Sequence, residues 1–209
     1  MPSLILARHG NTFESDQTPT FVGGKTDMPL TARGLEQARE LAGEIEARFA
    51  PVNAIICGPL QRTQRMAEIV AAQINQVFTV DERLCEIDYG LWENKTSADV
   101  REAYGEAIVE AWEQHGVWPE NMNWAPSLEK LKTNVDHILD EQHKKLLMPK
   151  AVNRVLVTSN GILRFVYASL TGKPAGKESK VGTGRYCVLK ATDAGWDIVK
   201  WNEKPAAKE

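Results

Sequence analysis

Cysteine is scarce in this chain: Cys57, Cys85 and Cys187 are the only three among 209 residues. Their number is odd, they are widely spaced, and none belongs to a paired arrangement of cysteine and histidine typical of zinc sites. The sequence therefore gives no indication of a disulfide framework or a structural zinc site. We expect a reduced protein in the cytoplasm.

Long hydrophobic runs are also missing, since no apolar stretch approaches the roughly 18 residues that a membrane-spanning helix needs. No basic stretch precedes Leu4, so we expect neither secretion nor membrane insertion. The formal net charge is only -3, which leaves no basic field for nucleic acid or an anionic membrane. An anionic small substrate would need arginines of its own.

Internal repeats and low-complexity linkers are absent as well. The content of hydrophobic residues is 43% and that of charged residues 25%, as in an ordinary soluble protein. This length supports one good-sized hydrophobic core. We predict a single domain over 1–209, with a disordered tail at 203–209.

Apolar segments alternate with amphipathic helical patterns, which predicts an α/β fold built on a mostly parallel sheet. Short strands are predicted at 4–7, 54–57, 79–80, 154–158, 185–189 and 196–200. Helices are predicted after an N-cap at Thr31, after Pro59, at 97–114, at 127–147 and through 163–170.

The segment 116–126 has neither a helical nor a strand period, although it contains Trp118 and Trp124. It is either a packed surface loop or a lid over a site. We favour packing, because aromatic residues in loops more often anchor the loop than recognise a ligand.

An arginine and a histidine follow directly on the first predicted strand. Arg8 and His9 would emerge at its carboxyl end, where open α/β sheets hold ligands. The guanidinium group suits phosphate, and a near-neutral imidazole can act as a nucleophile. The pair indicates phosphoryl chemistry, although a merely polar strand end fits these residues equally well.

Polar residues also follow two other predicted strands. Arg62 lies at the start of the helix after the second strand, and Ser159 and Asn160 follow the strand at 154–158. Because parallel strands present their carboxyl ends at one edge of the sheet, we expect these residues to converge with the first pair.

Four sequence blocks occur in a fixed order along the chain. They are Arg8-His9-Gly10-Asn11-Thr12; Thr26-Asp27-Met28-Pro29-Leu30-Thr31 with Gly34, Gln37 and Ala38; Leu60, Arg62, Thr63 and Ala67; and Leu84, Glu86, Tyr89, Gly90, Trp92 and Glu93. In these blocks the chain resembles the histidine phosphatase superfamily, in its phosphoglycerate mutase-like branch 1, nearly from end to end. The resemblance implies a three-layer α/β/α sandwich with a mostly parallel central sheet.

The resemblance also implies roles for individual residues. His9 would be the nucleophile, Arg8 and Arg62 would grip the transferred phosphoryl group, and Glu86 would act first as an acid and then as a base. Fixed positive charge can neutralise the phosphoryl oxygens, so the resemblance implies no metal and no other cofactor.

Three of the implied site residues leave alternatives open. A structural salt bridge is the other interpretation of Glu86, and the nearby Glu93 would exchange roles with it if the alignment were out of register. Asn11 and Thr12 would contact phosphate or substrate, or serve only as turn residues.

The last motif of the family departs from its usual form. A second histidine and a glycine normally follow this strand, whereas this chain has Ser159 and Asn160 there and keeps only Gly161. The loss of an imidazole removes one donor to the phosphoryl oxygens. Ser159, Asn160 and the backbone N–H groups that open the next helix, including that of Gly161, remain as donors. Phosphate recognition should therefore survive better than turnover.

The other histidines are not expected to replace the missing one. His115, His137 and His143 lie on polar stretches typical of solvated helix faces.

We therefore expect a phosphomonoesterase that acts on a small phosphorylated metabolite through a phosphohistidine at His9. The alternative is a phospho-ligand binding or regulatory protein with weak or lost turnover. A phosphoglycerate mutase is less favoured, because mutases of this group are usually longer and keep the second histidine. The expected partner is a small phosphorylated substrate, with no nucleic acid and no membrane, and the chain is expected to be a monomer or a homodimer.

Overall fold

The computed structural model describes residues 2–206, which form one central sheet covered by helices. The strands are β1 Ser3–Arg8, β2 Val52–Cys57, β3 Phe78–Val80, β4 Asn153–Thr158, β5 Tyr186–Thr192 and β6 Gly195–Glu203. Their order across the sheet is β3-β2-β4-β1-β5-β6. The first four are mutually parallel, and β5 and β6 add an antiparallel edge.

The helices are α1 Ala32–Phe49, α2 Gln61–Gln73, α3 Ser97–Tyr104, α4 Glu106–His115, α5 Leu128–Leu146 and α6 Asn160–Thr171. As predicted, Thr31 is the N-cap of α1, and its side chain accepts a hydrogen bond from the N–H of Gly34. Gly172 ends α6 in the left-handed conformation, as is common for glycine after a helix.

Alternating side chains of the strands support two separate cores. In β1, Leu4 and Leu6 face the core formed with α4, α5 and α6, whereas Ile5 and Ala7 face the core formed with α1 and α2. Strands that are buried on both faces read as continuous apolar runs. The expected three-layer α/β/α sandwich is therefore confirmed.

The helix predicted at 97–114 is instead two helices. Gly105 separates α3 from α4 with a φ of +96°, which a residue without a Cβ adopts readily. Thr96 and Asp99 form a reciprocal capping box at the start of α3. The helical period continues on both sides of the break, so periodicity alone does not reveal it.

The segment 116–126 is packed, as predicted, rather than open as a lid. The ring of Trp124 lies 4.8 Å from Tyr89, 5.0 Å from Trp92 and 4.9 Å from Trp112 in edge-on contacts. Trp124 is only 8% exposed, so the loop is anchored in the core on the α4 and α6 side of the sheet.

The disordered tail predicted at 203–209 starts too early, because the first of these residues are ordered. Glu203 is the last residue of β6, and the N–H of Ala206 donates to Glu44 Oε2 at 3.3 Å. Residues 207–209 of that predicted tail lie outside the described residues. Within 2–206, no helix is both long enough and apolar enough to cross a bilayer.

Candidate active site

A cleft of about 520 Å³ opens at the carboxyl ends of the parallel strands. Arg8 ends β1 and His9 follows it, Arg62 lies in the first turn of α2, and Asn160 opens α6. The sheet therefore brings the three predicted strand ends together. The predicted site residues that line the cleft are Arg8, His9, Asn11, Thr12, Arg62, Glu86 and Asn160.

The main chain of His9 extends the sheet by one residue. Its N–H donates to Thr158 O at 3.1 Å, and its carbonyl accepts from the N–H of Gly184 at 3.0 Å. The next residue, Gly10, passes directly under the start of α1, where a Cβ would collide with the carbonyl oxygen of Gly34. Close packing of backbone against backbone thus explains the glycine after the histidine.

The His9 ring has a defined tautomer. Its Nδ1 lies 2.8 Å from the carbonyl oxygen of Gly10, and a carbonyl can only accept, so Nδ1 carries the hydrogen. In the neutral ring, Nε2 then holds an unshared electron pair. Burial lowers the pKa of His9 well below its usual value, and Arg8 and Arg62 lower it further. His9 is therefore a neutral imidazole near pH 7.

Both cleft arginines are held by main-chain carbonyls rather than by carboxylates. Arg8 Nη1 donates to Val181 O at 2.7 Å, and Arg62 donates through Nη1 to Thr26 O at 2.8 Å and through Nη2 to Gly23 O at 3.1 Å. Both Nε atoms are buried without a hydrogen-bond partner among the described residues. Neither guanidinium forms a salt bridge with a carboxylate of the described residues, so their positive charge remains available to an oxyanion.

Glu86 is buried, and its carboxylate is oriented by the backbone. Oε1 accepts from the N–H of Ile87 at 2.9 Å and Oε2 from the N–H of Gly161 at 3.1 Å. Burial raises the pKa of Glu86, and these two hydrogen bonds and the arginines oppose that rise. A raised pKa lets a carboxyl group keep its proton closer to neutral pH.

Glu93 has a different environment, away from the cleft lining. It accepts from the hydroxyl of Thr26 at 2.5 Å, from the N–H of Gly23 at 3.1 Å and from the N–H of Tyr89 at 3.2 Å. These bonds hold together the loop that also contacts Arg62. Glu86 is thus the glutamate that lines the cleft, whereas Glu93 stabilises the neighbouring loop.

Two predicted site residues do not line the cleft. Ser159 is fully buried as the N-cap of α6, and its hydroxyl has no partner among residues 2–206. The N–H of Gly161 is already engaged by Glu86, and a Cβ at this glycine would collide with that carboxylate. The carboxylate of Glu86 therefore occupies the start of α6 that was expected to receive phosphate.

Several lining residues were not anticipated, notably Tyr89, Thr183 and part of the segment 13–22. Thr183 hydrogen-bonds through its hydroxyl to Asn11 Oδ1. It precedes the antiparallel strand β5, whose first residues meet the carboxyl end of β1. In the sequence, the turn Gly182-Thr183-Gly184 before a predicted strand is the signal that could have indicated Thr183.

None of the other histidines lines the cleft, as expected. His143 Nε2 lies 2.9 Å from the carbonyl oxygens of both Thr192 and Gly195 at the β5–β6 turn. His137 is exposed on α5, and His115 is exposed at the end of α4.

Comparisons with known proteins identify the family and the fold of the chain. The sequence profile of the histidine phosphatase superfamily (branch 1) matches residues 4–204. A probable phosphoglycerate mutase of Salmonella choleraesuis is 30% identical over 194 residues, which cover 92% of this chain and 85% of that protein.

Solved structures share the fold at lower identity. The alpha-ribazole phosphatase of Shigella flexneri is 23% identical with a TM-score of 0.75, over 99% of both chains. A mycobacterial glucosyl-3-phosphoglycerate phosphatase is 21% identical with a TM-score of 0.80, over 98% of this chain and 100% of that one. From the family match and the relative at 30% identity, the chain belongs to branch 1 of the histidine phosphatase superfamily.

Proposed function

We propose that this protein is a phosphomonoesterase that hydrolyses a small phosphorylated metabolite through a phosphohistidine on His9. The observation that supports it most is the His9 ring, whose Nδ1 is held by the carbonyl of Gly10, in the same cleft as two arginines that form no salt bridge with a described carboxylate. A nucleophilic nitrogen and fixed positive charge are the two requirements of phosphoryl transfer.

In the first step, Nε2 of His9 attacks the phosphorus atom, and the bond from phosphorus to the ester oxygen breaks. Glu86, which is protonated at this stage, gives its proton to that oxygen, so the product leaves as a neutral alcohol. Arg8 and Arg62 neutralise charge on the phosphoryl oxygens during transfer. The carbonyl of Gly10 stabilises the positive charge that develops on the ring through the Nδ1 hydrogen.

In the second step, the carboxylate of Glu86 takes a proton from a water molecule. The water oxygen attacks the phosphohistidine, and the bond from phosphorus to Nε2 breaks. Inorganic phosphate leaves, and both His9 and protonated Glu86 are regenerated.

Asn160 supplies the neutral hydrogen bond that replaces a second histidine at this turn. Its Oδ1 accepts from the N–H of Val181 at 2.9 Å, which fixes the side-chain amide. No residue in the described part of the chain accepts from its Nδ2, and the side chain lines the cleft. Nδ2 is thus a fixed donor for a phosphoryl oxygen. Asn11 and Thr12 contribute further polar contacts to the substrate.

A phospho-ligand binding protein with little turnover is the second candidate. It is favoured by the position of Ser159, which the family resemblance aligns with the second histidine. Only one of the four histidines lines the cleft. We place either protein in the cytoplasm, as a monomer or homodimer, and the three free cysteines are compatible with a reducing compartment.

Phosphate release from 4-nitrophenyl phosphate and from sugar, nucleotide and glycerate phosphates tests the proposal. Release should disappear in His9→Ala and persist in His137→Ala, whose histidine is exposed on α5. Saturable binding without release would favour the second candidate. Isomerisation of phosphoglycerate stimulated by a bisphosphate would instead identify a mutase.

A further inference from the structure

The outer wall of the cleft is formed by the loop after β1, through those residues of 13–22 that line the cleft. We call this surface the outer wall. At its near end, the backbones of Glu14 and Gln17 form a turn, with Gln17 N–H donating to Glu14 O at 3.1 Å and Glu14 N–H donating to Gln17 Oε1 at 2.9 Å. The loop there has a defined shape.

The far end of the outer wall is anchored to the protein. Phe21 exchanges backbone hydrogen bonds of 2.9 Å with the segment 94–95, and its ring lies 5.0 Å from Trp92 and 5.6 Å from Tyr89. The carbonyl of Gly23, just beyond the wall, accepts from Arg62. The wall is thus held in place relative to the arginine at the base of the cleft.

The charges of the cleft are unevenly distributed. Arg8 and Arg62 are the only described lysines or arginines that line it, and both lie at its base. On the outer wall the only charged side chain is Glu14, which is exposed. A substrate that has placed its phosphoryl group between the arginines would meet negative charge with its other end.

The lysines near the cleft have other partners or lie outside its lining. Lys25 pairs with Asp88 at 2.7 Å, and Lys95 Nζ donates to the Tyr104 hydroxyl at 3.1 Å. Lys180 is half-buried near Arg164 and does not line the cleft. Apart from Arg8 and Arg62 at the base, a second anionic group on the substrate therefore meets no cation among the described residues that line the cleft.

Aromatic rings strengthen the preference for positive charge. Phe13 and Phe21 both line the outer wall with Glu14. In exposed sites, an aromatic ring attracts an ammonium group about as strongly as a carboxylate attracts it. Together, a carboxylate and two rings on one wall are suited to an organic cation.

We propose that Glu14 makes this site selective for phosphomonoesters whose alcohol portion carries a positive charge, such as an amine, and disfavours those with a second anion. This inference rests on the proposed phosphatase function and specifies its substrate class.

The test compares three alkyl phosphates of matched length: 6-aminohexyl phosphate, hexyl phosphate and 5-carboxypentyl phosphate. Their ester oxygens have nearly the same leaving-group character, so differences in kcat/KM report recognition of the distant end. We expect kcat/KM for the amine to exceed that for the carboxylate by about tenfold. The effect is modest because exposed ion pairs are weak, and it is measured at low ionic strength because salt screens them.

Two substitutions in the loop assign the effect to one residue. Glu14→Gln should reduce the amine-to-carboxylate ratio toward one, and Glu14→Lys should invert it. Asp16→Asn removes an acid from the same loop that does not line the cleft, so it should leave the ratio unchanged. The hydrogen bonds of Glu14 involve only its backbone, so these variants should fold normally.

A ratio that is unaffected by Glu14→Gln, or a preference of the wild type for the carboxylate, would overturn the proposal. If no phosphate is released from any of the three esters, the phosphatase function fails separately. In that case, calorimetry measures how tightly His9→Ala binds the same three esters. Tightest binding of the amine supports charge selection, and equal affinities reject it.

Discussion

The carboxylate of Glu86 accepts a hydrogen bond from the backbone N–H of Gly161 at 3.1 Å, at the start of α6. The N-cap residue Ser159 makes no capping bond with its own hydroxyl. A helix N-terminus favours negative charge and needs acceptors for its free N–H groups. α6 therefore orients the carboxylate that we propose as the proton donor.

The first prediction concerns Gly161→Ala. The added methyl group would collide with the carboxylate of Glu86 and with the side chain of Ile87, so the carboxylate must move. A displacement of about 1 Å can cost roughly 100-fold in rate. We expect kcat for an alkyl phosphate to fall by at least tenfold, measured by phosphate release.

A double-mutant cycle is the control for that prediction. If Gly161→Ala acts by displacing Glu86, it should cause little further loss in a Glu86→Gln background. Fully additive losses would mean that Gly161 acts independently of the carboxylate.

The second prediction separates Glu86 from Glu93. General acid catalysis contributes about 100- to 10,000-fold, so Glu86→Gln should cause a loss of that size with alkyl phosphates. The loss should be under about tenfold with 4-nitrophenyl phosphate, whose leaving group needs no proton. Steady-state kinetics with both esters measures the difference.

Glu93→Gln provides the matched comparison. It weakens the bonds to Thr26, Gly23 and Tyr89, so it should lower the melting temperature and affect both esters equally. A leaving-group dependence in Glu93→Gln, and not in Glu86→Gln, would exchange the two roles.

The third prediction is a pH profile. The proposed mechanism needs His9 neutral and Glu86 protonated. Because the pKa of His9 is lowered and that of Glu86 is raised, the two states coexist over a wider range than ordinary values allow. As pH rises, kcat/KM should increase as His9 deprotonates and then decrease as Glu86 deprotonates.

Glu86→Gln identifies the alkaline limb of that profile. The amide does not titrate, so the decrease above the pKa of Glu86 should disappear while the acidic limb stays. Persistence of the alkaline limb in Glu86→Gln would assign it to another group.

The fourth prediction compares neighbours at the start of α6. Asn160→Asp keeps the acceptor for Val181 but removes the Nδ2 donor and adds negative charge, so affinity for inorganic phosphate should fall by about tenfold or more. Ser159→Ala should change that affinity by less than about twofold, because the serine is buried off the cleft. Calorimetric titration measures both, and the opposite order would make Ser159 the donor.

Much of the scaffold is predictable because its signals are local. The apolar run of β1 and the N-cap Thr31 determine their elements through burial and backbone hydrogen bonding. The break at Gly105 is less predictable, since a helical period continues across it. A backbone conformation, rather than hydrophobicity, separates α3 from α4.

The site is predictable only where it follows regular strands. Arg8 and Arg62 are brought to the cleft by the sheet itself. Glu86 lies on an irregular segment, and its contact with Gly161 joins residues 75 positions apart. The outer wall with Glu14 is likewise set by long-range contacts to the segment 94–95 and to Arg62. No local sequence pattern encodes such contacts.

The most direct measurement is trapping of the phosphoenzyme with a radiolabelled phosphomonoester. The protein is mixed rapidly with substrate, quenched in alkali, and mapped for the labelled residue. We predict label on His9 that forms and decays at rates compatible with turnover, and none in His9→Ala. Turnover without any label on His9, or label on another residue, would contradict the phosphohistidine mechanism.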